Sequence, residues 1–367
     1  MKSIFILGGS GNTGEKIAQL LVQHTDVHIV LAARNEDKLR QSAEKLGQPD
    51  RVSWKTVDAS NKSSLMNVFD GQDMVVSAAS TAQFTENITR ACLDAGCDYL
   101  DVQYSSEKVR ILKSMADEIE STDGCFISEA GFHPGLPSAL VRYADSQLDD
   151  LESAVTYSAI NTDMKNVELT NATKQEFIQE LQDYDATFFQ DSQWKKASMW
   201  TTKDFQTIDF GKPAGKRTCV PMFFEEIHDL PTLIPTLQET GFYIAGFGWL
   251  MDLLVMPFVM LMVKLFPNMM AKPMGNLFAW TWGKISKPPF YVIMKLRAKG
   301  KKDGQESTFE TTLFHEDGYW FTAIPVVACL LQYLDDSIRK PGLHWMGQLV
   351  EPERLMEDME RMGIQIW

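Results

Sequence analysis

The 367 residues carry a net charge of −14, with 44% hydrophobic and 23% charged side chains. That balance describes a globular chain with an ample core, long enough for two domains or for one domain with a large insertion. So acidic a chain lacks the basic face that phosphate backbones require, which excludes a nucleic-acid binder.

Along the chain, Ser3 to Leu7 is a short apolar, β-branched run, followed by glycines and by Glu15 to His24 with helical spacing of Ile17, Leu20 and Leu21. A second strand is expected at Val27 to Ala32, a charged helix at Glu36 to Leu46, and further strands at Val52 to Val57 and Met74 to Ser77. Phe84 to Ala95 reads as a helix, Cys97 to Val102 as a fifth strand and Cys125 to Ser128 as a sixth. Continuous apolar strands alternating with helices indicate a parallel sheet covered on both faces. The opening MKSIFILGG runs straight into this pattern without a signal peptide's apolar core, so the fold is expected to start where the chain starts. Five scattered cysteines form no CxxC pair and suit reduced, buried thiols in the cytoplasm. No Cys/His cluster has metal-ligand spacing, so no metal is expected.

In this setting the stretch GGSGNTG becomes informative. Gly9, Gly11 and Gly14 fit G-x-G-x-x-G directly after a strand and opening a helix, with Ser10, Asn12 and Thr13 between them. The spacing serves a tight turn, close approach of a pyrophosphate and close helix–strand packing. The helix N-terminus adds free N–H groups and partial positive charge. At the end of strand two, where an NAD site usually carries an acid, the chain has Arg34, then Asn35 and Lys38. Arg34 can grip a ribose 2′-phosphate bidentately with Lys38 as a second cation, so NADP is the expected cofactor. The plainer reading is a solvated helix start, since Glu36 and Asp37 are also there. Asp58, after strand three, is placed either to accept from the adenine amino group or to cap the next helix.

GGSGNTG, AARNEDKL, VVSAAS, ACLDAGCDYLDVQY and AGFHPGLPSALV, in that order, resemble the saccharopine dehydrogenase (saccharopine reductase) family, including its trans-acting enoyl reductase-like branch. The resemblance is specific over roughly residues 1–145, returns near the end in EDGYWFTAIPVVACLLQYL and PGLHWMGQLVEPERLMEDMERMGI, and is loose between about 150 and 290. It implies an α/β fold: an N-terminal NADP-binding Rossmann domain with a parallel sheet, a second α+β domain with a mixed or antiparallel sheet, and C-terminal helices returning to the first. The corresponding divisions are 1–135, 136–318 and 319–367. Ala78 and Ala79 of VVSAAS join the expected cofactor set. In such enzymes the nicotinamide lies between the two domains, and a hydride moves to or from a C=N, C=O or C=C bond. Saccharopine reductases need basic groups for a dicarboxylate amino acid. Here the middle segment is acidic in its first half and greasy in its second.

Chemistry is expected outside the carboxyl ends of the strands. Strand five ends at YLDVQY, with Asp101, Gln103 and Tyr104, and strand six at SEAGFHPGLP, with Glu129 and His133. His133 is the first acid/base candidate by its ordinary pKa, Tyr104 the next, and Asp101 a site carboxylate. Each has a plainer counterpart: a loop hydrogen bond for His133, a capping or paired carboxylate for Asp101. Hydride transfer needs mainly geometry, with a proton donor that water can supply.

In the second domain a strand is expected at Ala154 to Ile160, a helix at Asn171 to Tyr184, and weaker strands at Met199 to Thr202 and Gln206 to Phe210. YVIMKLRAKG and FETTLFHEDGYWFTAI form a hairpin across KKDGQ, and Pro325 is expected in the first turn of a helix running from Val326 to Leu334. The stretch LLVMPFVMLMVKLF sits in a greasy segment from Gly241 to Phe266. Its longest uncharged run, Leu253 to Val263, is 11 residues, against the ~20 that span a bilayer. Leu253 to Lys302 has no Asp or Glu and nine basic residues. Three readings stand: a buried helix pair or dimer interface, peripheral docking on an anionic membrane, or a channel for an apolar substrate. The expectation is a cytoplasmic homodimer, with peripheral membrane contact left open, acting on a small, apolar or lipid-like molecule. An amino-acid-linked imine reductase, or a non-catalytic nucleotide sensor binding a partner or lipid surface, are the alternatives.

Overall fold

The computed structural model describes residues 1–163, 171–198, 201–248 and 250–367. They fall into two units, one of residues 1–139 with 319–363, the other of residues 140–318 with 364–367.

The first unit opens with β1 (Ser3–Leu7), α1 (Asn12–His24), β2 (His28–Ala33), α2 (Glu36–Leu46), β3 (Val52–Thr56) and α3 (Lys62–Phe69). β4 (Met74–Ser77), α4 (Thr85–Ala95), β5 (Asp98–Asp101), α5 (Ser106–Ser114), α6 (Ala116–Ser121) and β6 (Cys125–Ser128) complete the alternation. Apart from β3, which lies at the sheet edge with only Val52 buried, each strand is nearly all buried, as apolar runs covered on both faces must be. Side-chain caps start the helices at Asn35, Asn61 and Ser105, each accepting from the backbone N–H three residues on. Asn61, not Asp58, therefore caps α3.

The chain continues with α7 (Leu136–Gln147), β7 (Asp150–Asn161), α8 (Asn171–Gln182), β8 (Thr187–Gln190), β9 (Gln193–Lys196), β10 (Gln206–Asp209) and β11 (Lys216–Met222). Two single-turn helices, α9 (Glu225–His228) and α10 (Leu230–Leu233), precede β12 (Glu239–Ala245). A π turn at Met251–Val255 leads into α11 (Met256–Leu265) and α12 (Pro267–Ile285), followed by β13 (Tyr291–Lys302) and β14 (Gln305–His315). The chain closes with α13 (Gly318–Leu334), β15 (Gly342–Trp345), α14 (Met346–Leu349), α15 (Pro352–Arg361) and β16 (Gln365–Ile366).

The first unit's sheet runs β3-β2-β1-β4-β5-β6-β15, and its neighbours are parallel throughout. β15 was not foreseen. A buried carboxylate anchors it: Asp98 accepts from Cys125 N at 2.8 Å, Tyr333 OH at 2.7 Å and Arg339 Nε at 2.8 Å. The C-terminal segment is thereby tied to the strands it extends.

The second unit's sheet runs β10-β11-β12-β7-β13-β14-β16, with β12 parallel to β7 and the remaining neighbours antiparallel. The expected hairpin is present, closed by Asp303 and Gly304, both at positive φ as a two-residue turn requires. It is shorter than expected. β14 stops at His315, and Tyr319 to Ile324 are helical, so Pro325 lies inside α13 rather than in its first turn. Near-complete burial of α13 overrides the local cost of an interior proline. The greasy segment also divides, because Gly241 to Ala245 belongs to β12. Of the strand expected at Met199 to Thr202, residues 199–200 lie outside the described residues and Thr201 and Thr202 are not in a strand. Among the described residues, no helix is long and apolar enough to cross a membrane. All five cysteines are buried and unpaired.

Candidate functional site

β1 lies at the centre of the first sheet. Strands two and three run outward on one side and strands four to six on the other, so the topological switch falls between β1 and β4. A crevice at that point, outside the carboxyl ends, is where open α/β sheets take ligands.

The β1–α1 turn is built for close approach. Gly8 has φ of +92°, and a methyl group there would lie 2.8 Å from the Ala79 methyl and 2.9 Å from the Ala78 carbonyl. The turn after β1 thus rests directly on the turn after β4. At Gly14 a methyl would come within 2.2 Å of the Gly8 carbonyl oxygen, so the first turn of α1 packs on the loop with no room for a side chain. Gly11 is the N-cap of α1 and brings no side-chain cap, while Gly11 and Asn12 are exposed and Ser10 and Thr13 half-buried. An uncapped helix start offers its first N–H groups to an anion. The cradle therefore fits a pyrophosphate.

β2 ends at an exposed cationic corner. Arg34, Asn35 and Lys38 are all exposed, and the Asn35 carboxamide oxygen accepts from Lys38 N at 2.9 Å. Parallel pairing of β2 with β3, extended by Val57 N donating to Ala33 O at 3.0 Å, brings Asp58 alongside. The Asp58 carboxylate accepts from Ser60 N at 2.9 Å and Ser60 Oγ at 2.8 Å. Those bonds, with the Arg34 guanidinium nearby, hold its pKa below the usual carboxylate range. Arg34 and Asp58 thus lie close together, with Lys38 in the first turn of α2.

Comparison with known proteins identifies the domain that carries the glycine cradle and the cationic corner. Residues 4–123 match the model of the saccharopine dehydrogenase NADP binding domain. The first unit is built on an NADP-binding domain of the saccharopine dehydrogenase type. A "Probable mitochondrial saccharopine dehydrogenase-like oxidoreductase" of Arabidopsis thaliana is 28% identical over 140 residues, 35% of this chain. That match spans 31% of the curated relative's length. The solved structure of apo saccharopine dehydrogenase (L-Glu forming) from Saccharomyces cerevisiae superposes with a TM-score of 0.69, covering 100% of this chain and 99% of that one at 14% identity. The fold of both units is therefore the saccharopine dehydrogenase fold.

In the NADP-binding domain, the strand ends expected to carry chemistry are tied together by hydrogen bonds. Asp101 is wholly buried, and its carboxylate accepts from Lys108 Nζ at 2.6 Å, Ser128 Oγ at 2.8 Å and the N–H groups of Gln103 and Glu129, each at 3.3 Å. Asp101, expected as a catalytic group, is joined by these bonds to α5, to Ser128 and to the backbone after β5 and β6. Lys108 also donates to Gln103 O, and the Gln103 carboxamide donates to Ala79 O and, at 2.8 Å, to Thr81 Oγ1. Thr81 in turn bonds Ser77 Oγ at 2.9 Å. The turn after β4, with Ala78 and Ala79, is thus fixed from β5 and α5. Tyr104 is half-buried and directly precedes Ser105, the cap of α5.

Lys108 and Thr81 escaped the sequence reading. Lys108 left a faint signal, since it falls at helical spacing with Val109 and Leu112, the buried face of α5.

His133 lies in the loop after β6, where Glu129 adopts a left-handed φ of 57° while buried. Its ring sits 4.1 Å from that of Phe132, which meets Phe321 edge-on at 4.8 Å. Desolvation in this setting pulls the imidazole down to about 4. Its burial thus favours the neutral form of the His133 ring.

The second unit holds a cavity of about 260 Å³ at the ends of β7 and β12, lined among others by Asn161, Arg217, Phe247, Trp282, Lys287 and Tyr291. Arg217 donates to Ala214 O at 3.1 Å and to Tyr291 OH at 3.2 Å. Phe247 and Trp282 meet at 4.7 Å.

Proposed function

We propose that this chain is an NADP-dependent oxidoreductase that moves a hydride to or from a C=O, C=N or C=C bond of an apolar, lipid-like substrate. The observation that carries the cofactor half is Arg34 beside the glycine cradle of a domain whose relatives bind NADP. NADP, when bound, would carry the hydride to or from the substrate. Gly8, Gly11, Gly14 and the first turn of α1 receive its phosphates, and Arg34 with Lys38 takes the 2′-phosphate. The buried network from Asp101 through Lys108 and Gln103 to Ala79 keeps the turn after β4 in place during catalysis.

The substrate half rests on His133. A neutral imidazole packed on Phe132 suits an uncharged reacting group, which it would polarise through its N–H, with Tyr104 or water delivering the proton. Stopped-flow oxidation of NADPH by apolar enones, ketones and imines tests this, with deuterium carried from the nicotinamide into product. Turnover with an apolar acceptor and a fall on His133→Ala are expected. Tight NADPH binding without turnover on any class would instead favour a nucleotide sensor.

One observation favours a second reading. Arg217 and Lys287 line the second unit's cavity, and such cations would suit a carboxylate-bearing imine. Turnover of amino-acid-derived imines, lost on Arg217→Gln, would select this reading over the apolar one.

A further inference from the structure

The helices after β12 carry an apolar face that the fold does not cover. α11 and α12 pack on α8 through Val259, Val263, Met274 and Ile178. That contact accounts for one side of α11. On another, Leu254, Phe258, Leu261 and Leu265 recur at i, i+4, i+7 and i+11, and all four are exposed, Leu254 at 58% and Leu265 at 56%. Phe266 and Met269 continue the surface, and Trp280 on α12 is exposed at 64%. Among the described residues twelve large apolar side chains are exposed, and seven lie between Leu254 and Trp280. A helix bathed in water places polar residues at such positions, so this face is made for contact.

Charge narrows the identity of the partner. From Leu253 to Lys302 there is no acidic residue in a chain of net charge −14. The basic residues of β13 are partly neutralised, Lys295 and Arg297 by Glu310 and Lys301 by Glu152. Those of the helices are not. Lys264, Lys272 and Lys284, with Lys287 just after α12, are exposed, and among the described residues none pairs with a carboxylate. A second copy docking here about a two-fold axis would set these lysines against themselves, with no acid in the segment to offset them. Among the described residues no helix is long and apolar enough to cross a bilayer. A phosphate-bearing lipid surface matches both features, taking the apolar side chains into its acyl boundary and the lysines among its headgroups.

We propose that the α11–α12 hairpin is a docking face for an anionic phospholipid surface. Leu254, Phe258, Leu261 and Leu265 enter the membrane boundary, and Lys264, Lys272, Lys284 and Lys287 bind lipid phosphates. The proposal goes beyond the redox reading and does not depend on it, since NADPH affinity and vesicle binding are measured separately.

The test is flotation of the full chain with vesicles of phosphatidylcholine alone or mixed with phosphatidylserine, at low and high salt. Binding is expected on the mixed vesicles at low salt, weakened by salt and weak on phosphatidylcholine. Each lysine changed to glutamine should cost about fivefold in affinity, as an exposed cation near an anionic surface contributes. Leu261→Ser with Leu265→Ser should abolish binding while leaving melting temperature and NADPH affinity unchanged, because both side chains are exposed. Failure to bind mixed vesicles at low salt would overturn the proposal. So would binding indifferent to these substitutions, or a concentration-dependent dimer that the leucine variants dissociate.

Discussion

Lys108 holds its ammonium 2.6 Å from Asp101 Oδ1, and neither side chain is exposed at all. A buried pair of this kind contributes modest net stability when intact, but breaking it on one side leaves an uncompensated charge. Lys108→Met should therefore cost about 3–5 kcal/mol in urea unfolding. Lys108→Met with Asp101→Asn, which removes both charges, should recover much of that loss. If the double variant is as unstable as the single, the pair does not act as a unit. Since Lys108 also holds Gln103 and hence the Ala79 turn, the stable double variant should bind NADPH more weakly than wild type.

Arg34 is exposed at the end of β2 beside Asp58, whose carboxylate its charge helps to keep ionised. Charge-assisted hydrogen bonds are worth about 1.5–3 kcal/mol, so Arg34→Asp should weaken NADPH by roughly 10- to 100-fold while sparing or improving NADH. Fluorescence titration with both nucleotides gives the ratio. An unchanged ratio would place the 2′-phosphate elsewhere.

Gly14 has no space for a Cβ, which would meet the Gly8 carbonyl at 2.2 Å. Gly14→Ala must push α1 away from the phosphate loop, costing about 1–3 kcal/mol as overpacking does. NADPH affinity should fall with it. Gly47, where a Cβ would meet nothing within 4 Å, is the control: Gly47→Ala should keep NADPH affinity.

The His133 imidazole holds out against protonation until about pH 4, against an ordinary 6.5. Between these values the unfolded chain binds the extra proton, so stability is complete above pH 6.5 and is lost as pH falls toward 4. Urea midpoints for wild type should therefore drop more steeply over that range than those of His133→Gln. Parallel curves would show that the imidazole is not desolvated.

The alternating first half was legible because its signals are local. Apolar runs and the glycine spacing each lie within one turn or strand, and strands β1 to β6 emerged within a residue or two. What escaped depends on distant partners. Nothing near Asp98 announces that Tyr333 and Arg339 will close on it, just ahead of the strand β15 that pairs with β6. Lys108 reads as solvated until its helix is placed against Asp101. Pro325 misled because its usual position at a helix start was applied to a helix stabilised by burial instead. In the greasy segment, composition could not separate β12 from α11, nor show which face of α11 the fold leaves bare.

That the first unit is an NADPH site governed by Arg34 and the glycine cradle is tested most directly by isothermal titration of the wild-type chain with NADPH and with NADH. NADPH should bind at one site per chain, at least about tenfold more tightly than NADH, the margin one charge-assisted contact supplies. Equal affinities, tighter NADH binding or no binding of either nucleotide would contradict it.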